Sequence, residues 1–532
     1  MQAWISSSLV RHYPKSPPGS QETLTFHAAL QERVSFQVAF TTDDQPVEMT
    51  AVVEAPRQLA AQVRRVGYVP LPHLNTHVPD DEIDGLPYLP GLVPDPLFPS
   101  PALHAGPHET NAFWVTITVP VDALPDTYPV SVRLESEGRA PLHVTAQVVV
   151  HRGLVSRRRD FPVTHWFYAD ALCDWYKVEP FTEAFWPLLD RYLADLAAHL
   201  QDTSHIPLFT PPTDGVKRPT QLLGVRREGE RYRFHWSLVK RWVKAAQQAG
   251  LHFLEWPHLF TQWGAKYAIR IYEGHGADEK LLWDSGTLGV SPTYRDFLGQ
   301  FLPEFKRFLD EEGLFARSFF HLSDEPHGEE HLVNYRAARE MLRELAPWMK
   351  VMDALSDIAF AQEGLTDVPI PSLTVAPTFI KEGYPAWAYF CGGPRGRYAQ
   401  RLLDTPLLKT RMLGWLFHRT GARGFLHWGY NYWYRSQTRE LIDPYAVSDA
   451  GWWPRWPYGD PFLVYPGEGG PVDSLRWEVF ADGLQDYALL QSAGLDPNDP
   501  LLAEIKDYAE FPRSEGWLLE ARGKVLERLD RR

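Results

Sequence analysis

The pattern of apolar residues changes near residue 160 of this 532-residue chain. Before that point apolar and polar residues alternate over short runs, which is the period of a half-buried strand. After it, short apolar runs are separated by longer segments in which apolar residues recur every three or four positions, the period of a helix. The change predicts two domains of different fold class, over residues 1–155 and 156–532.

The first domain is predicted to be an antiparallel β-sandwich. Five of its segments alternate, with β-branched and aromatic residues on one parity: 33–42, 47–55, 112–120, 128–136 and 141–151. Proline, glycine and aspartate separate these segments, as expected for turns between antiparallel strands. We interpret the proline-rich stretch 79–107 as a long connection across the sheets, and 152–160 as a polar linker to the second domain.

The second domain is predicted to be a (β/α)8 barrel with a C-terminal helical tail. Its eight candidate strands are 162–168, 205–212, 251–259, 317–323, 350–355, 370–377, 386–393 and 423–429. Amphipathic helices are expected over 185–200, 237–249, 292–312, 329–345, 406–420 and 475–490. An open doubly wound sheet is the alternative, but no glycine-rich nucleotide motif follows a strand. In a barrel, functional side chains collect at the carboxyl ends of the strands.

Composition argues against several classes of partner. The net charge of −14 disfavours binding to nucleic acid or to an anionic membrane surface. The two cysteines, Cys173 and Cys391, lack metal-ligand spacing, and no apolar run is long enough to cross a membrane. Since the N-terminus shows no signal-peptide pattern, the sequence predicts a soluble, cytoplasmic protein without metal or cofactor. A homo-oligomer is compatible with this composition.

Aromatic residues are abundant, with 20 Trp, 23 Tyr and 28 Phe, and they crowd toward the C-terminal half. Flat rings with a polar edge suit sugars, although a large core also uses them. Residues at the predicted strand ends are therefore candidates for substrate binding: His165, His258, Trp263, His321, Tyr389, Trp428, Tyr430, Asn431 and Trp433. For His258, Trp428 and Trp433, a place in or at the edge of the core explains the pattern equally well.

Two adjacent carboxylates, Asp324 and Glu325, end the fourth candidate strand in the sequence FFHLSDEP. Strand alternation places His321 and Glu325 on one face, toward the barrel mouth. Pro326 favours a strand end at which Asp324 bends in beside Glu325. Burial and like charge would keep one carboxyl protonated, as a general acid requires. The alternative is a solvated turn that caps helix 329–345.

Two other patterns in this region point less clearly to chemistry. His327 and His331 have the i, i+4 spacing of metal ligands, but no third residue with suitable spacing supports a metal site. Ser323 lacks the glycine-rich elbow of a serine hydrolase. Solvated helix residues explain the histidine pair better, and the chemistry is expected at Asp324 and Glu325.

Three segments together resemble a known family. FFHLSDEP, HLFTQWGAKYA at 258–268 and the long segment from GARGFLHWGYNYW to RWEVFADGLQDYALL are similar to glycoside hydrolase family 123 and the related domain of unknown function 4091. The resemblance covers about residues 160 to 490, and the N-terminal domain also fits it. It implies a β-N-acetylgalactosaminidase built as a β-sandwich followed by a (β/α)8 barrel.

The resemblance further implies substrate-assisted catalysis, in which the 2-acetamido oxygen of the sugar attacks the anomeric carbon and configuration is retained. Carried onto this chain, Glu325 is the acid and then the base, and Asp324 orients the acetamido N–H. A tyrosine commonly positions the acetamido carbonyl, and Tyr389, Tyr430 and Tyr432 all remain open for this role. The first hypothesis is an exo-acting enzyme for terminal β-N-acetylgalactosamine. An N-acetylglucosamine preference and an inactive sugar-binding barrel are the alternatives.

Overall fold

The computed structural model describes residues 1–75, 78–84, 88–210, 218–274 and 279–532. Its N-terminal region is rich in strands, which are β1 (Gln2–Ser7), β2 (Thr23–Leu30), β3 (Arg33–Thr41), β4 (Val47–Glu54), β5 (Ala60–Leu71), β6 (Gly91–Phe98), β7 (Ala102–Ala105), β8 (Thr110–Thr118), β9 (Thr127–Glu135) and β10 (Leu142–Leu154). The five alternating segments of the sequence lie in β3, β4, β8, β9 and β10. In β9, for example, Tyr128, Val130, Val132 and Leu134 are buried and the residues between them are not.

The remainder of the chain holds shorter strands and most of the helices. The strands are β11 (Val163–His165), β12 (Thr203–His205), β13 (Gly224–Glu228), β14 (Arg231–His235), β15 (Phe253–Glu255), β16 (Tyr272–Glu273), β17 (Lys280–Leu281), β18 (Ser318–Phe319), β19 (Met352–Ala354), β20 (Val368–Ile370), β21 (Ala388–Tyr389), β22 (Phe425–His427), β23 (Tyr465–Pro466) and β24 (Pro471–Ser474). The α-helices are α1 (Ala169–Tyr176), α2 (Trp186–Ala198), α3 (Ser237–Ala249), α4 (Pro292–Glu311), α5 (Gly328–Leu345), α6 (Ala359–Gln362), α7 (Ala376–Lys381), α8 (Leu407–Thr420), α9 (Leu475–Ser492) and α10 (Glu515–Asp530).

Two sheets of the N-terminal region enclose an apolar core. One has the order β1-β3-β8-β5-β6-β24-β23 and the other β2-β10-β9-β4-β7. Phe36 and Val115 of the first sheet share this core with Val132 and Val148 of the second, and all four are fully buried. The pairing is antiparallel except between β2 and β10, which run parallel. The prediction of purely antiparallel sheets is wrong at that pair, since two strands far apart in sequence need no hairpin between them.

The stretch 79–107 is not a bare connection, because its described residues include β6 and β7. Prolines misled the prediction: Pro94 and Pro96 lie inside β6. The strand tolerates them because its pairing with β5 shifts register between Val66 and Tyr68, so the hydrogen-bond ladder is already interrupted there. Val93 and Leu97, on either side of the prolines, are buried apolar residues, and the carboxylate of Asp95 between the prolines is buried as well.

The segment 152–160, predicted as a polar linker, is exposed at most positions but is partly built into the fold. β10 continues through Leu154, and Arg158 is buried with its guanidinium 2.8 Å from the carboxylate of Asp202. Arg158 also donates a 2.8 Å hydrogen bond to the carbonyl of Phe161. A charge that finds an ionic partner inside the fold need not face water, and sequence alone does not show the partner.

Eight of the short strands form a parallel series. β12, β15 and β18 pair in that order, and a parallel bridge between Phe320 and Val351 leads from β18 to β19 and on to β20. A second bridge, between Ser372 and Tyr389, leads to β21, which pairs with β22 and then β11. β11 and β12 are linked by the Asp202 carboxylate, which accepts a 2.7 Å hydrogen bond from the N–H of Val163 at the start of β11. The carboxyl ends of all eight strands therefore point the same way.

These strands are shorter than predicted, and two are displaced. The predicted strand 205–212 begins where β12 ends, and its last two residues lie outside the described part of the chain. The predicted strand 370–377 begins at the end of β20 and runs into α7. In both cases a proline soon after the strand, Pro207 or Pro371, limits its length.

The predicted helices are present as α2, α3, α4, α5, α8 and α9. α9 is buried on nearly every side because it lies between the parallel strands and the seven-stranded sheet. Its Leu475 and Val479 pack with Trp4 and Trp114 of that sheet. β23 and β24, just before α9, extend the same sheet, so the division of the chain at residues 155 and 156 stays a prediction. Within the described ranges, no helix combines the length and apolar character needed to span a membrane.

Candidate active site

Asp324 and Glu325 lie just beyond β18, at the carboxyl end of the parallel strands. Phe320 still pairs with Val351, but the chain then turns. Glu325 has a φ of 44°, in the left-handed region, and its N–H donates to the carbonyl of Ala354 at 2.9 Å. The regular alternation of a strand therefore does not reach residue 325: Glu325 does line the cleft, but a turn directs it there and not the predicted alternation. The turn brings both carboxylates to the same cleft.

The cleft has a volume of about 200 Å³. Aromatic side chains form the largest group in its walls, which comprise Trp166, Gln262, Trp263, Asp324, Glu325, Ala354, Tyr389, Cys391, Gly392, Leu426, Trp428, Gln437, Trp452, Trp456 and Asp460. Trp166 is buried, Trp428 is half-buried and Trp263 is 46% exposed, so the tryptophans extend from the floor of the cleft to its rim. Apolar walls with a few convergent polar groups are typical of a small-ligand site.

Tyr389, at the end of β21, contacts the acidic pair directly. Its hydroxyl donates a hydrogen bond to Oε1 of Glu325 at 3.0 Å. Burial, followed by the negative charge of Glu325, holds the pKa of Tyr389 well above its usual value. The phenol therefore stays protonated and fixes the position of the Glu325 carboxyl group.

A buried ionic triad lies beneath the cleft. The His321 ring stands between two carboxylates, with Nε2 2.8 Å from Glu255 and Nδ1 3.2 Å from Asp353. Burial opposes a charge on this histidine, but the hydrogen bonds and charges of Asp353 and Glu255 outweigh it and raise the pKa of His321 to about 10. Both ring nitrogens thus donate. The Glu255 carboxylate also accepts a hydrogen bond from the indole of Trp166 at 2.8 Å, and this bond holds Trp166 in the floor of the cleft.

Asp353 connects this triad to the chain that leads into the acidic pair. Its carboxylate accepts from the backbone N–H groups of Leu322 and Ser323, at 3.0 and 3.2 Å. The hydroxyl of Tyr335 donates to it at 2.6 Å. These bonds fix the two residues before Asp324 even though they lie in no strand. The direction of the acidic pair is therefore set by a buried side chain of the neighbouring strand.

Asp460 is a third carboxylate in the cleft wall. Its Oδ2 accepts from the indole N–H of Trp428 at 2.9 Å, and Nε2 of His427 lies 3.3 Å from Oδ1. Burial raises the pKa of Asp460 to about 6. Burial also lowers the pKa of His427 well below its usual value, so the imidazole is neutral. The indole of Trp428 is thus a neutral hydrogen-bond donor to Asp460, and this bond fixes the orientation of Trp428.

Five residues predicted from the sequence line this cleft together: Asp324, Glu325, Trp263, Tyr389 and Trp428. The other six predicted substrate-binding residues are buried and lie outside its walls: His165, His258, His321, Tyr430, Asn431 and Trp433. Alternation explains the division, because side chains at a strand end point both into the cleft and into the layers of the core below it.

Most of the six are held by hydrogen bonds within the core. His165 contacts Gln201 and Arg401, each at 2.8 Å, and the hydroxyl of Tyr430 donates to Asp195 at 2.5 Å. The Asn431 side chain bonds both the N–H and the carbonyl of Tyr168, at 2.9 and 3.1 Å. The indole of Trp433 donates to the carbonyl of Val464 at 3.1 Å. His258 packs with its ring 5.3 Å from that of Trp166 and 4.5 Å from that of His321.

Sequence reasoning missed part of one wall of the cleft. Trp452, Trp456 and Asp460 come from the segment 451–460, which lies well after the last parallel strand, β22, in the sequence. Its tryptophan content was visible in the sequence, but no strand end pointed to it. Close packing holds it in place: a Cβ on Gly429 would lie 2.4 Å from the carbonyl oxygen of Asp460. Gln437 and Cys391 were likewise not predicted as site residues.

Among the residues that the structure describes, two groups of side chains have ligand atoms close enough to hold a metal ion. His258, His321 and Asp353 form one, and Asp195, His199 and Asp473 form the other. In the first group, both ring nitrogens of His321 are already engaged by carboxylates. The predicted histidine pair is different: the N–H of His327 donates to Nδ1 of His331 at 3.2 Å, which makes it part of the helix start.

An acidic pair beside a donating tyrosine, in a tryptophan-lined cleft at the carboxyl ends of parallel strands, is the arrangement of an enzyme that cleaves glycosidic bonds. Comparison with known families agrees. The family model described as "Glycoside hydrolase 123, catalytic domain" matches residues 166–493, which is more than half of the chain. The chain therefore belongs to glycoside hydrolase family 123, and the resemblance seen in its motifs is confirmed.

The chain is also similar to solved structures, to very different degrees. A family 123 glycoside hydrolase from Clostridium perfringens, studied for glycolipid glycan hydrolysis, is 15% identical with a TM-score of 0.74, over 99% of this chain and 97% of that chain. At this identity the similarity is one of fold. A GH5 xyloglucanase from Bacteroides ovatus is 11% identical with a TM-score of 0.33, over 91% of this chain and 100% of that chain. No curated protein matches the chain.

Proposed function

We propose that this glycoside hydrolase is a retaining exo-glycosidase that removes terminal β-linked N-acetylgalactosamine by substrate-assisted catalysis. The observation that carries the proposal is that two adjacent residues, Asp324 and Glu325, both line the cleft. A retaining enzyme with its own nucleophile places its carboxyl groups on opposite sides of the scissile bond, about 5–5.5 Å apart. Two carboxyl groups on adjacent residues of one turn suit a different mechanism, in which one protonates the leaving group and the other orients the acetamido group of the substrate.

In the first step, Glu325 gives its proton to the glycosidic oxygen while the acetamido oxygen of the substrate attacks the anomeric carbon. The bond to the leaving group breaks, and an oxazolinium ring forms. The Asp324 carboxylate accepts a hydrogen bond from the acetamido N–H and stabilises the positive charge of that ring. In the second step, Glu325 takes a proton from water as the water attacks the anomeric carbon, which opens the ring and restores the acid.

Tyr389 is the tyrosine that we assign to the acetamido group. Among Tyr389, Tyr430 and Tyr432, it is the one that lines the cleft, and its hydroxyl lies 3.0 Å from Glu325. Tyr430 is buried and donates to Asp195, and Tyr432 accepts at its hydroxyl from the N–H of Gln437 at 3.2 Å. When substrate binds, we infer that the single O–H of Tyr389 turns from Glu325 to donate to the acetamido carbonyl.

The size of the cleft supports exo action on a single sugar. At about 200 Å³ it is smaller than the ~300–1,000 Å³ pockets that enclose drug-sized ligands. Its floor is closed by Trp166, which is buried and bonded to Glu255. A terminal residue enters from the rim, and the rest of the glycan stays outside.

We also infer that the eight parallel strands close into a (β/α)8 barrel and that the two N-terminal sheets form a β-sandwich. The unbroken series of pairings from β12 to β11 and the Asp202 link between these two strands support closure. The core shared by the two sheets supports the sandwich. The cytoplasmic location and the homo-oligomer expected from the sequence stay predictions.

Chromogenic β-N-acetylgalactosaminide, β-N-acetylglucosaminide and β-galactoside substrates test the proposal with the wild type, Glu325→Gln and Asp324→Asn. We expect the first substrate to be hydrolysed fastest and both variants to lose at least about a hundredfold in kcat/KM. Glu329→Gln, an exposed carboxylate in the first turn of α5, is the matched control. Equal turnover of the plain galactoside would contradict the mechanism, faster turnover of the glucosaminide would change the assigned sugar, and no turnover would favour a binding protein.

A further inference from the structure

Trp263 occupies an unusual position at the rim of the cleft. It is 46% exposed, although it is large and apolar, and it lines the cleft beside Gln262. Three successive residues from Trp263 to Ala265 have left-handed backbone conformations, with φ of 57°, 100° and 56°. A bulky side chain in this region is a strained arrangement that persists only where its surroundings enforce it.

The surroundings do enforce it, and they tie the tryptophan to the acidic pair. The N–H of Trp263 donates to the carbonyl of Asp324 at 2.7 Å. Gly264 lies so close to α5 that a Cβ there would be 2.6 Å from the His331 ring, and the N–H of Ala265 donates to the carbonyl of Thr261 at 3.2 Å. The backbone that presents the tryptophan is therefore fixed to the turn that presents the acid.

We propose that Trp263 is the binding platform for the first sugar of the leaving group. This inference rests on the proposed function, since Glu325 must meet the glycosidic oxygen and the leaving group must extend outward from that atom. The closed floor leaves the rim as its exit, and Trp263 stands at the rim next to Asp324. An indole face exposed to solvent stacks on the C–H face of a sugar ring. The ligand class is thus a glycan in which the terminal N-acetylhexosamine is followed by another pyranose.

The test compares two substrates that share the terminal sugar and have an alcohol as leaving group. One is a disaccharide with terminal β-linked N-acetylgalactosamine, and the other is the methyl β-glycoside of the same sugar, which has no second ring. We expect Trp263→Ala to lower kcat/KM for the disaccharide about fivefold to tenfold, the effect of one lost stacking contact, and to leave the methyl glycoside nearly unchanged. Trp263→Phe, which keeps a flat ring, is expected to restore most of the loss.

The matched control is Trp453→Ala. Trp453 is 37% exposed and stacks on His73 at 4.1 Å outside the cleft walls, so both substrates should be unaffected. Melting temperatures of all variants verify that they are folded. An equal loss on both substrates, or no loss on the disaccharide, would overturn the role of Trp263. Failure of the wild type to hydrolyse either substrate would instead overturn the proposed function on which it rests.

Discussion

At the scale of single residues, the backbone of Glu325 departs most from what its sequence suggests. Its φ of 44° lies where residues with a Cβ are disfavoured, yet the carboxylate reaches the cleft only because the chain turns there. Strain at a residue that serves chemistry is held by the surrounding structure, here by the bonds of Asp353 to the preceding N–H groups. The acidic pair was predictable from the sequence, whereas this turn was not, because a glutamate gives no signal for positive φ.

The strain at Glu325 is measurable with two truncations that differ only in the Cβ. Glu325→Gly and Glu325→Ala both remove the carboxylate and its bond to Tyr389. Because glycine adopts a left-handed conformation freely, we expect the glycine variant to have a free energy of unfolding about 1 kcal/mol higher than the alanine variant. Urea denaturation of the two proteins measures the difference. A more stable alanine variant would show that the turn is not strained.

At the scale of elements, Asp353 of the neighbouring strand β19 fixes the position of the chain that follows β18. The sequence predicted the long helices well, since their apolar stripes are complete within one segment. It predicted the parallel strands only roughly, because a strand of two or three residues is too short to show an alternating pattern of apolar and polar residues. It assigned His321 to substrate binding, whereas the structure places this residue between Glu255 and Asp353 in the core. Side chains that face the cleft alternate with side chains that face the core at a strand end, and only the pairing between strands shows which are which.

Removal of the Asp353 carboxylate tests this control. Asp353→Ala leaves the His321 cation with one partner fewer and frees two backbone N–H groups. We expect a loss of about 3–5 kcal/mol in stability, as for other broken buried ion pairs, together with a lower kcat. Asp357→Ala is the control: Asp357 accepts from the N–H of Ala359 at 3.1 Å at the start of α6. Chemical denaturation and initial rates measure both effects, and equal losses in the two variants would contradict the account.

The charge of His321 also predicts a pH dependence. Its pKa rises from about 6.5 when unfolded to about 10 in the fold. A raised pKa means that the stabilisation is fully present below about pH 6.5 and is lost as the pH rises through about 10. In His321→Gln the fall in unfolding free energy between these pH values should be shallower than in the wild type. His199, whose pKa is also raised to about 10, contributes a similar slope to both proteins, so the difference belongs to His321. Identical slopes would refute it.

At the scale of the whole molecule, the two regions share structure that a division by sequence pattern separates. β24 pairs with β6, and Glu478 of α9 lies 2.5 Å from Arg64 and 3.0 Å from Arg33 of the N-terminal strands. His199, which like Glu478 belongs to the C-terminal region, lies 3.3 Å from the same carboxylate. Pairings between residues hundreds of positions apart leave no local pattern, so neither these contacts nor the wall built from 451–460 was predictable from the sequence.

A fragment of residues 156–532 tests this dependence. Without the N-terminal sheets, Leu475 and Val479 lose the contacts with Trp4 and Trp114. Glu478 also loses Arg33 and Arg64, and Asp482 loses Arg33. We expect the fragment to lack a cooperative thermal transition by circular dichroism, whereas the full chain shows one. A fragment that melts cooperatively and hydrolyses substrate would establish the second region as an independent domain.

The central claim is that the substrate's acetamido group is the nucleophile, and a thiazoline analogue of N-acetylgalactosamine tests it most directly. The fused five-membered ring of this analogue copies the oxazolinium intermediate, so a site organised for that intermediate binds it more tightly than the product sugar. We expect competitive inhibition constants to show that the analogue binds at least about a hundredfold more tightly than free N-acetylgalactosamine does, and that Asp324→Asn loses most of this gain. An analogue that binds no more tightly than the free sugar would contradict it.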